Sequence, residues 1–154
     1  MSDRKASFER PGIPAILALR SVQQKLNLNG LRLRISLIID SAEIRNSHQV
    51  AVLIGFGASA ICPYLSLELA RFAEIPAASH LFAVEREKNL INALEQGLLK
   101  IMAKRGISVV RSYQGAELFT IIGLGEDITE NLFPNHNSYV GGITFNNLIA
   151  EIQT

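Results

Sequence analysis

The most constraining feature of this sequence is the run at residues 48–68, HQVAVLIGFGASAICPYLSLE. An apolar stretch at residues 50–54 meets Gly55 and Gly57, and Pro63 follows shortly afterwards. An apolar run, a glycine-rich turn and a proline at a helix start predict a strand, a tight turn and a helix. Ligand-binding α/β proteins are assembled from this unit, so we expect an α/β fold.

Composition limits the kind of protein this is. The chain has 154 residues, enough for one domain with a genuine core, and 48% of them are hydrophobic while only 19% are charged. That balance predicts surfaces that a partner or further chain covers. The net charge of +1 gives no reason to expect a nucleic-acid partner. No apolar run approaches the ~18 residues of a membrane span, and no secretory signal is evident. The single cysteine excludes an internal disulfide and suits a reducing compartment.

The rest of the chain alternates between helical and extended patterns. The positions of proline and glycine, together with apolar spacing, predict helices over residues 14–26, 63–75, 79–105 and 116–122, and a last helix from residue 146. Gly97 leaves open whether residues 79–105 form one helix or two. Strands are predicted over residues 32–39, 50–54 and 107–110, with a turn at residues 133–135. Three strands are too few to close a sheet. The predicted fold class is therefore α/β, a partial and mainly parallel β-sheet with flanking helices, like an incomplete βα-barrel.

The two glycines also fit a dinucleotide-binding pattern. Residues 55–60, GFGASA, match G-x-G-x-x-A, in which backbone N–H groups and a helix N-terminus hold a pyrophosphate. That fingerprint needs an acidic residue at the end of the next strand, about 20 residues further on. Glu74 has the spacing but lies in a predicted helix, and Glu85 comes late. A plain tight turn is favoured, and a small nucleotide-binding protein remains an alternative.

Residues able to bind metal or act as nucleophiles are few and scattered. His48, His80 and His136 have no carboxylate or cysteine at ligand spacing, which favours structural roles over metal binding. Cys62 precedes a helix start, a place where the pKa of a thiol can be depressed. No general base stands at a recognisable spacing from it, so an inert, buried thiol is favoured.

Two further groups lie at predicted strand ends. Glu43, Arg45 and His48 cluster after the first strand, where open α/β sheets bind ligands, although a solvated loop with a local ion pair is the simpler interpretation. The Ser-Tyr pair at residues 112–113 either hydrogen-bonds a ligand or closes the sheet.

Residues 48–68 resemble the central region of glutamate synthases, which runs close to H-x-F-A-x-L-I-G-Y-G-A-x-A-x-x-P-Y-L-A-x-E. Further matches flank it in the same order, at residues 13–18 (IPAILA), 30–32 (GLR), 97–108 (GLLKIMAKRGIS), 112–119 (SYQGAELF) and 141–145 (GGITF). The stretch ASAICPY is closer to the ferredoxin-dependent branch than to the pyridine-nucleotide branch. The resemblance implies a segment of a ferredoxin-dependent large subunit that spans the end of the central domain and the start of the FMN-binding domain. Residues 1–106 would be central-domain-like and residues 107–154 FMN-domain-like, within one structural unit.

The resemblance further implies an enzyme of ammonia assimilation and glutamate biosynthesis. Such enzymes hydrolyse glutamine and use the ammonia to convert 2-oxoglutarate to glutamate, with FMN, an iron–sulfur cluster and, in this branch, electrons from ferredoxin. Met1 and Ser2 stand in place of the family's N-terminal cysteine nucleophile, and one cysteine cannot hold a cluster. We therefore expect no catalytic, cofactor-binding or metal-binding residue in this chain, and no cofactor bound by it alone.

These expectations favour a truncated or split piece of a glutamate synthase that is inactive alone. Its partners would be the remaining synthase domains or subunits, and ferredoxin would act only through the full enzyme. The alternatives are a docking module of a split synthase and a small nucleotide-binding α/β protein. Bacterial cytoplasm and plastid stroma both fit.

Overall fold

The computed structural model of the chain describes residues 1–74, 76 and 79–152. Its helices are α1 (Ala15–Leu28), α2 (Ser47–Gly55), α3 (Tyr64–Phe72), α4 (Ala83–Lys104), α5 (Val110–Tyr113), α6 (Glu126–Leu132) and α7 (Phe145–Ile152). Its strands are β1 (Ile38–Asp40), β2 (Ala60–Cys62), β3 (Ile121–Leu124) and β4 (Ser138–Ile143), and a 3₁₀ turn spans Arg32–Arg34. None of the helices in the described ranges has the length and apolar character needed to cross a membrane.

The strands form two small parallel sheets. β1 pairs with β2 so that Asp40 lies opposite Cys62, and Ser2 forms a parallel bridge to Asp40 at the other edge of β1. β3 pairs with β4 in an irregular register that places Ile122 opposite Val140. Helices flank both sheets, so the predicted α/β class with a partial, parallel sheet is confirmed.

The apolar stretch at residues 50–54 is helical, so the strand predicted there is wrong. It lies in α2, whose first turn is capped by the Asn46 side chain, which accepts a hydrogen bond from the Gln49 N–H at 3.0 Å. A short apolar run that is buried on most sides gives the same sequence pattern in a helix as in a buried strand, and periodicity cannot separate the two. The buried residues of α2 are Val50, Ala51, Leu53, Ile54 and Gly55.

The helices with clear terminal signals are confirmed. α1 begins after Pro14 and is followed by Gly30, whose φ of 66° stops the helix. α3 begins after Pro63, and the predicted end of that helix near Ile75 lies outside the described residues. The final helix is α7, and a turn is present in residues 133–135 as predicted.

The long predicted helix forms a single element, α4, and Gly97 does not interrupt it. The Ser47 side chain, at the start of α2, occupies the space that a side chain at position 97 would fill. α4 ends where the Ile107 N–H donates to the Met102 carbonyl at 3.1 Å and Gly106 adopts a φ of 70°. Gly97 is therefore a site of close helix packing.

Two predicted strands are wholly or partly wrong. Within residues 32–39 the chain begins with the 3₁₀ turn, and only the last two residues belong to β1. Residues 107–110 form no strand, because the Val109 carbonyl accepts hydrogen bonds from the Ser112 and Tyr113 N–H groups and so begins α5.

The helix predicted over residues 116–122, directly after Gly115, is also wrong. Gly115 and Glu117 have φ values of 74° and 50°, a left-handed conformation that a right-handed helix cannot include. The segment is irregular until β3 begins at Ile121.

The hydrophobic core is one cluster that includes buried side chains of α1, β1, α2, α4 and α6. By contrast, every residue of β4 is exposed. In the second sheet the core is therefore reached from β3, through the buried Ile121, and not from β4. The most deeply buried large side chains are Tyr113, Leu19, Ile39, Ile44, Met102 and Ile128.

Candidate functional site

The glycine-rich turn at residues 55–60 joins a helix to a strand, since α2 ends where the turn begins and β2 starts where it ends. A dinucleotide site needs the opposite order, with the glycines leading into a helix N-terminus. The N–H groups are also occupied: those of residues 56–58 donate to carbonyls within α2, and those of residues 59–60 donate to the Leu37 carbonyl. These five N–H groups are therefore not free to bind a phosphate.

Gly57 connects the turn to α1 and to the segment after it. Its carbonyl accepts a hydrogen bond from Arg32 Nη2 at 2.6 Å. Its φ of 105° suits glycine, and a Cβ there would lie only 2.7 Å from the Gln23 side-chain nitrogen. Both the backbone conformation and the close approach of Gln23 explain why the second glycine is needed.

The neighbouring carbonyls connect the turn to the segment after α5. The Gly55 carbonyl accepts the Gly115 N–H at 2.7 Å, and the Ala58 carbonyl accepts Gln114 Nε2 at 2.6 Å. Tyr113, which is buried, packs its ring against Gly55. We call residues 55–58 with these donors the glycine junction. Hydrogen bonds at the glycine junction connect distant parts of the chain, and the Tyr113 ring packs at the same point.

An aromatic cluster adjoins the glycine junction. Phe56 stacks on Phe119 with ring centroids 5.7 Å apart and meets Phe133 edge-on at 5.3 Å. Two of the three histidines pack here: His136 lies 5.0 Å from the Phe56 ring and His48 lies 6.2 Å from the Phe119 ring. Their contacts are those of structural side chains.

A buried cation links this cluster to α6. Arg20 is 7% exposed, and its Nε donates to the Leu132 carbonyl at 2.8 Å while Nη1 donates to Gln23 at 3.0 Å. Its guanidinium also lies 5.6 Å and 5.4 Å from the rings of Phe56 and Phe133. Burial lowers the pKa of Arg20, and these contacts replace the water that it loses.

A second polar group of residues lies at the carboxyl end of the β1–β2 sheet. Arg4 holds the Asp40 carboxylate with two nitrogens, at 2.7 Å and 3.1 Å, and lies 4.0 Å above the Tyr64 ring. Ser2 donates a further hydrogen bond to Asp40 at 2.8 Å. The hydrogen bond from Arg4 lowers the pKa of Asp40 to about 2, against the raising effect of burial. Asp40 is therefore an anion throughout the neutral range.

Asp3 extends this group into the loop after β1. Its carboxylate accepts hydrogen bonds from the Ser41 hydroxyl at 2.6 Å and from the Ala42 N–H at 3.0 Å. Burial alone would raise the pKa of Asp3, but these hydrogen bonds together lower it. Asp3, Asp40 and Ser41 also line a cavity of about 410 Å³ between the N-terminal segment and β1.

Cys62 ends β2 beside this group. Burial, the largest cause, and the Asp40 carboxylate raise the pKa of the thiol, while Arg4 opposes them. The net direction is opposite to the depression expected of a reactive thiol. In the described ranges, no three His, Cys, Asp or Glu side chains lie close enough together to hold a metal ion.

The structure brings together only part of the predicted cluster of Glu43, Arg45 and His48. Glu43 and His48 line a second cavity of about 270 Å³, whereas Arg45 does not. Glu43 accepts a hydrogen bond from the Ala15 N–H at 3.0 Å, so its charge stabilises the start of α1. The local ion pair expected in this loop is replaced by that helix contact.

The sequence interpretation missed Asp3, Arg4 and Asp40. Arg4 and Asp40 are 36 residues apart in the chain, and their contact depends on Ser2 pairing beside β1. The one available sequence signal was the position of Asp40, a polar residue directly after the predicted apolar strand.

Comparison with known proteins places this fold in a family. The profile of the glutamate synthase central domain matches residues 1–125. The chain therefore belongs to the glutamate synthase family.

Three individual relatives give the extent of the sequence similarity. The chain is 42% identical to the ferredoxin-dependent glutamate synthase, chloroplastic, of Spinacia oleracea over 98% of this chain and 10% of that protein. It is 40% identical to the ferredoxin-dependent glutamate synthase, chloroplastic, of Oryza sativa subsp. japonica over the same shares. It is 34% identical to the glutamate synthase [NADPH] large chain of Bacillus subtilis over 99% of this chain and 10% of that protein. The chain spans about a tenth of the length of these relatives.

Proposed function

We propose that this chain is the central-domain segment of a ferredoxin-dependent glutamate synthase and acts by docking with the other parts of that enzyme. The observation that carries the proposal is the 42% identity that extends over 98% of the chain but only 10% of the relative. Identity to the ferredoxin-dependent relatives exceeds the 34% found with the NADPH relative, which favours ferredoxin as the electron donor of the whole enzyme.

The size of the exposed surface supports a docking role. The chain exposes 10104 Å². A compact monomer of 16.9 kDa exposes about 7,700 Å² by the usual scaling of surface with mass. The excess of about 2,400 Å² exceeds the ~800 Å² that each partner buries in an ordinary interface. The exposed surface includes large apolar side chains, since Phe8, Leu33, Phe72 and Phe82 are more than 70% exposed.

In this proposal the chemistry is supplied by other parts of a larger synthase. The whole enzyme would convert glutamine and 2-oxoglutarate to glutamate, using FMN and an iron–sulfur cluster. We assign this chain no catalytic, cofactor-binding or metal-binding residue, because one thiol with a raised pKa serves neither as nucleophile nor as a set of cluster ligands. The division at residue 106 remains part of the proposal, as does a location in plastid stroma or bacterial cytoplasm.

A capture experiment tests docking. The chain, carrying an affinity tag, is mixed with the spinach relative from which the matching segment has been deleted, produced as its two flanking parts. We expect both parts to be retained. The matched control is the intact spinach relative, whose own segment already fills the place, and which should not be retained. The proposal would be refuted if neither part were retained. It would also be refuted if the intact relative were retained as well as the two parts.

A further inference from the structure

Asn29 is followed by Gly30, and of the ten asparagines in the chain it alone has glycine as the next residue. The carbonyl carbon of an asparagine side chain can be attacked by the backbone nitrogen of the next residue, which closes a five-membered succinimide ring. Glycine favours this attack, because it has no side chain to obstruct its nitrogen and it allows the widest range of backbone angles. The sequence therefore makes Asn29 the asparagine best suited to ring closure.

Asn29 and Gly30 lie at the C-terminal end of α1, and both are exposed. A Cβ added to Gly30 would meet no other atom within 4 Å, so the space around its backbone is open to water. Asn46 and Asn137 are the two asparagines followed by serine, whose side chain hinders the attack. Exposure and sequence therefore select the same position.

Hydrogen bonds at the end of α1 hold Asn29 in an unreactive geometry. Its Nδ2 donates to the Lys25 carbonyl at 2.7 Å, and the Gly30 N–H donates to the Asn27 carbonyl at 3.0 Å. At the Asn29 ψ of 3°, its own backbone nitrogen eclipses the Gly30 nitrogen, so Cβ is turned away from the atom it must approach. The last turn of α1 must therefore open before the ring can form, and exposed helix ends open more readily than the core.

We propose that Asn29 is a site of spontaneous deamidation, with a rate limited by the opening of the last turn of α1. The Gly30 nitrogen loses its proton and forms a bond to the side-chain carbonyl carbon of Asn29, and the amide nitrogen leaves as ammonia with that proton. Water then hydrolyses the ring at one of its two carbonyl groups, which gives aspartate or isoaspartate. One water is consumed and one ammonia released, with no change of oxidation state. This inference does not depend on the proposed function.

Conversion weakens the end of α1. Aspartate lacks the amide group that donates to the Lys25 carbonyl, and it places a negative charge at a helix C-terminus, where the helix dipole opposes it. Isoaspartate also lengthens the backbone by one methylene group, in a turn where the Leu31 N–H donates to the Leu26 carbonyl at 2.8 Å. That turn leads to Arg32, which donates to the Gly57 carbonyl in the glycine junction. We therefore expect isoaspartate to loosen this contact as well.

Peptide mapping by mass spectrometry tests the site. The purified chain is incubated for several weeks in mildly alkaline buffer, with and without guanidinium chloride. We expect Asn29 to gain the mass difference between an amide and an acid group, and a methyltransferase specific for isoaspartate to label the product. The rate in the folded chain should be measurable but at least about tenfold lower than in guanidinium chloride, because the hydrogen bonds of the turn must first open. The matched control is Asn29→Gln, which keeps an amide but requires a larger ring and should not convert.

Unfolding in urea gives a second readout, on isoaspartate chains separated by ion-exchange chromatography. Their urea midpoint should lie below that of Asn29→Asp, which has the charge without the longer backbone, and both should lie below that of the unmodified chain. The inference would be overturned if Asn29 did not convert in the folded chain, or converted equally fast with and without guanidinium chloride. Earlier conversion of Asn46 or Asn137, or an unchanged midpoint of the isoaspartate chain, would also overturn it.

Discussion

Replacing Gly97 with alanine tests how tightly α2 packs on α4. Gly97 lies inside the longest helix, where glycine is usually unfavourable. The added Cβ would fall within the space of the Ser47 side chain, whereas the Ser47 Cα would be 3.8 Å away, an ordinary contact. The steric conflict is therefore with the Ser47 side chain alone.

Two opposing effects set the magnitude. Alanine gains about 1 kcal/mol over glycine in a helix interior. Overpacking costs typically about 1–3 kcal/mol, and the cost here is at the high end because Ser47 belongs to the first turn of α2 and moves only with that helix. We expect a net loss of about 1–2 kcal/mol in the free energy of unfolding.

The assay is urea unfolding followed by circular dichroism, with a double-mutant cycle through Ser47→Gly. In the Ser47→Gly background, Gly97→Ala should become stabilising by about 1 kcal/mol, because only the helix-propensity effect remains. The exposed neighbour substitution Gln96→Ala should change stability little in either background. If Gly97→Ala stabilises the unmodified chain, or destabilises both backgrounds equally, the packing argument is wrong.

Three further predictions concern single side chains. Because the pKa of Asp40 is lowered to about 2, its charge stabilises the fold above pH ~4 and this contribution is lost as the pH falls towards 2; Asp40→Asn should therefore be less stable than the unmodified chain at pH 7 and equal to it near pH 2, as thermal unfolding can measure. Arg20→Met leaves the Leu132 carbonyl without its main donor and should cost about 2 kcal/mol in urea unfolding, with Arg20→Lys only partly restoring it, since the single lysine nitrogen lacks the two separately placed nitrogens that donate to Leu132 and Gln23; an unchanged midpoint would contradict this. The raised pKa of Cys62 predicts slower reaction with a thiol reagent at pH 7 in the folded chain than in urea, and equal rates would show that the fold does not protect it.

The sequence predicted best those elements that carry local signals. Pro14, Pro63 and Gly30 mark helix ends through their own backbone preferences, and these ends are found in the structure. The α/β class and the last helix also follow from local pattern. Predictions that depended on short apolar runs failed, because residues 50–54 and 107–110 look alike in a strand and in a buried or irregular segment.

In the candidate site too, sequence pattern predicted the local features but not the contacts between residues far apart in the chain. A tight turn was correctly predicted at Gly57, but it leads from a helix into a strand and not from a strand into a helix, and Gly55 is the last residue of α2. The role of this turn depends on donors supplied by Arg32 and Gly115, far away in the chain. Glu117 has a left-handed backbone conformation, which prevents the helix predicted after Gly115. No sequence pattern of its own indicates that conformation. The Arg4–Asp40 pair depends on the N-terminal segment lying beside β1, which no local pattern indicates.

The most direct test of the central claim is an assay of the chain by itself. The purified chain is supplied with glutamine, 2-oxoglutarate, FMN and reduced ferredoxin, and both glutamate formation and retained flavin absorbance are measured. We predict no glutamate above background and no flavin retained after gel filtration. Glutamate formation, or a flavin that stays bound, would contradict the claim that this segment depends on other parts of a synthase for its chemistry.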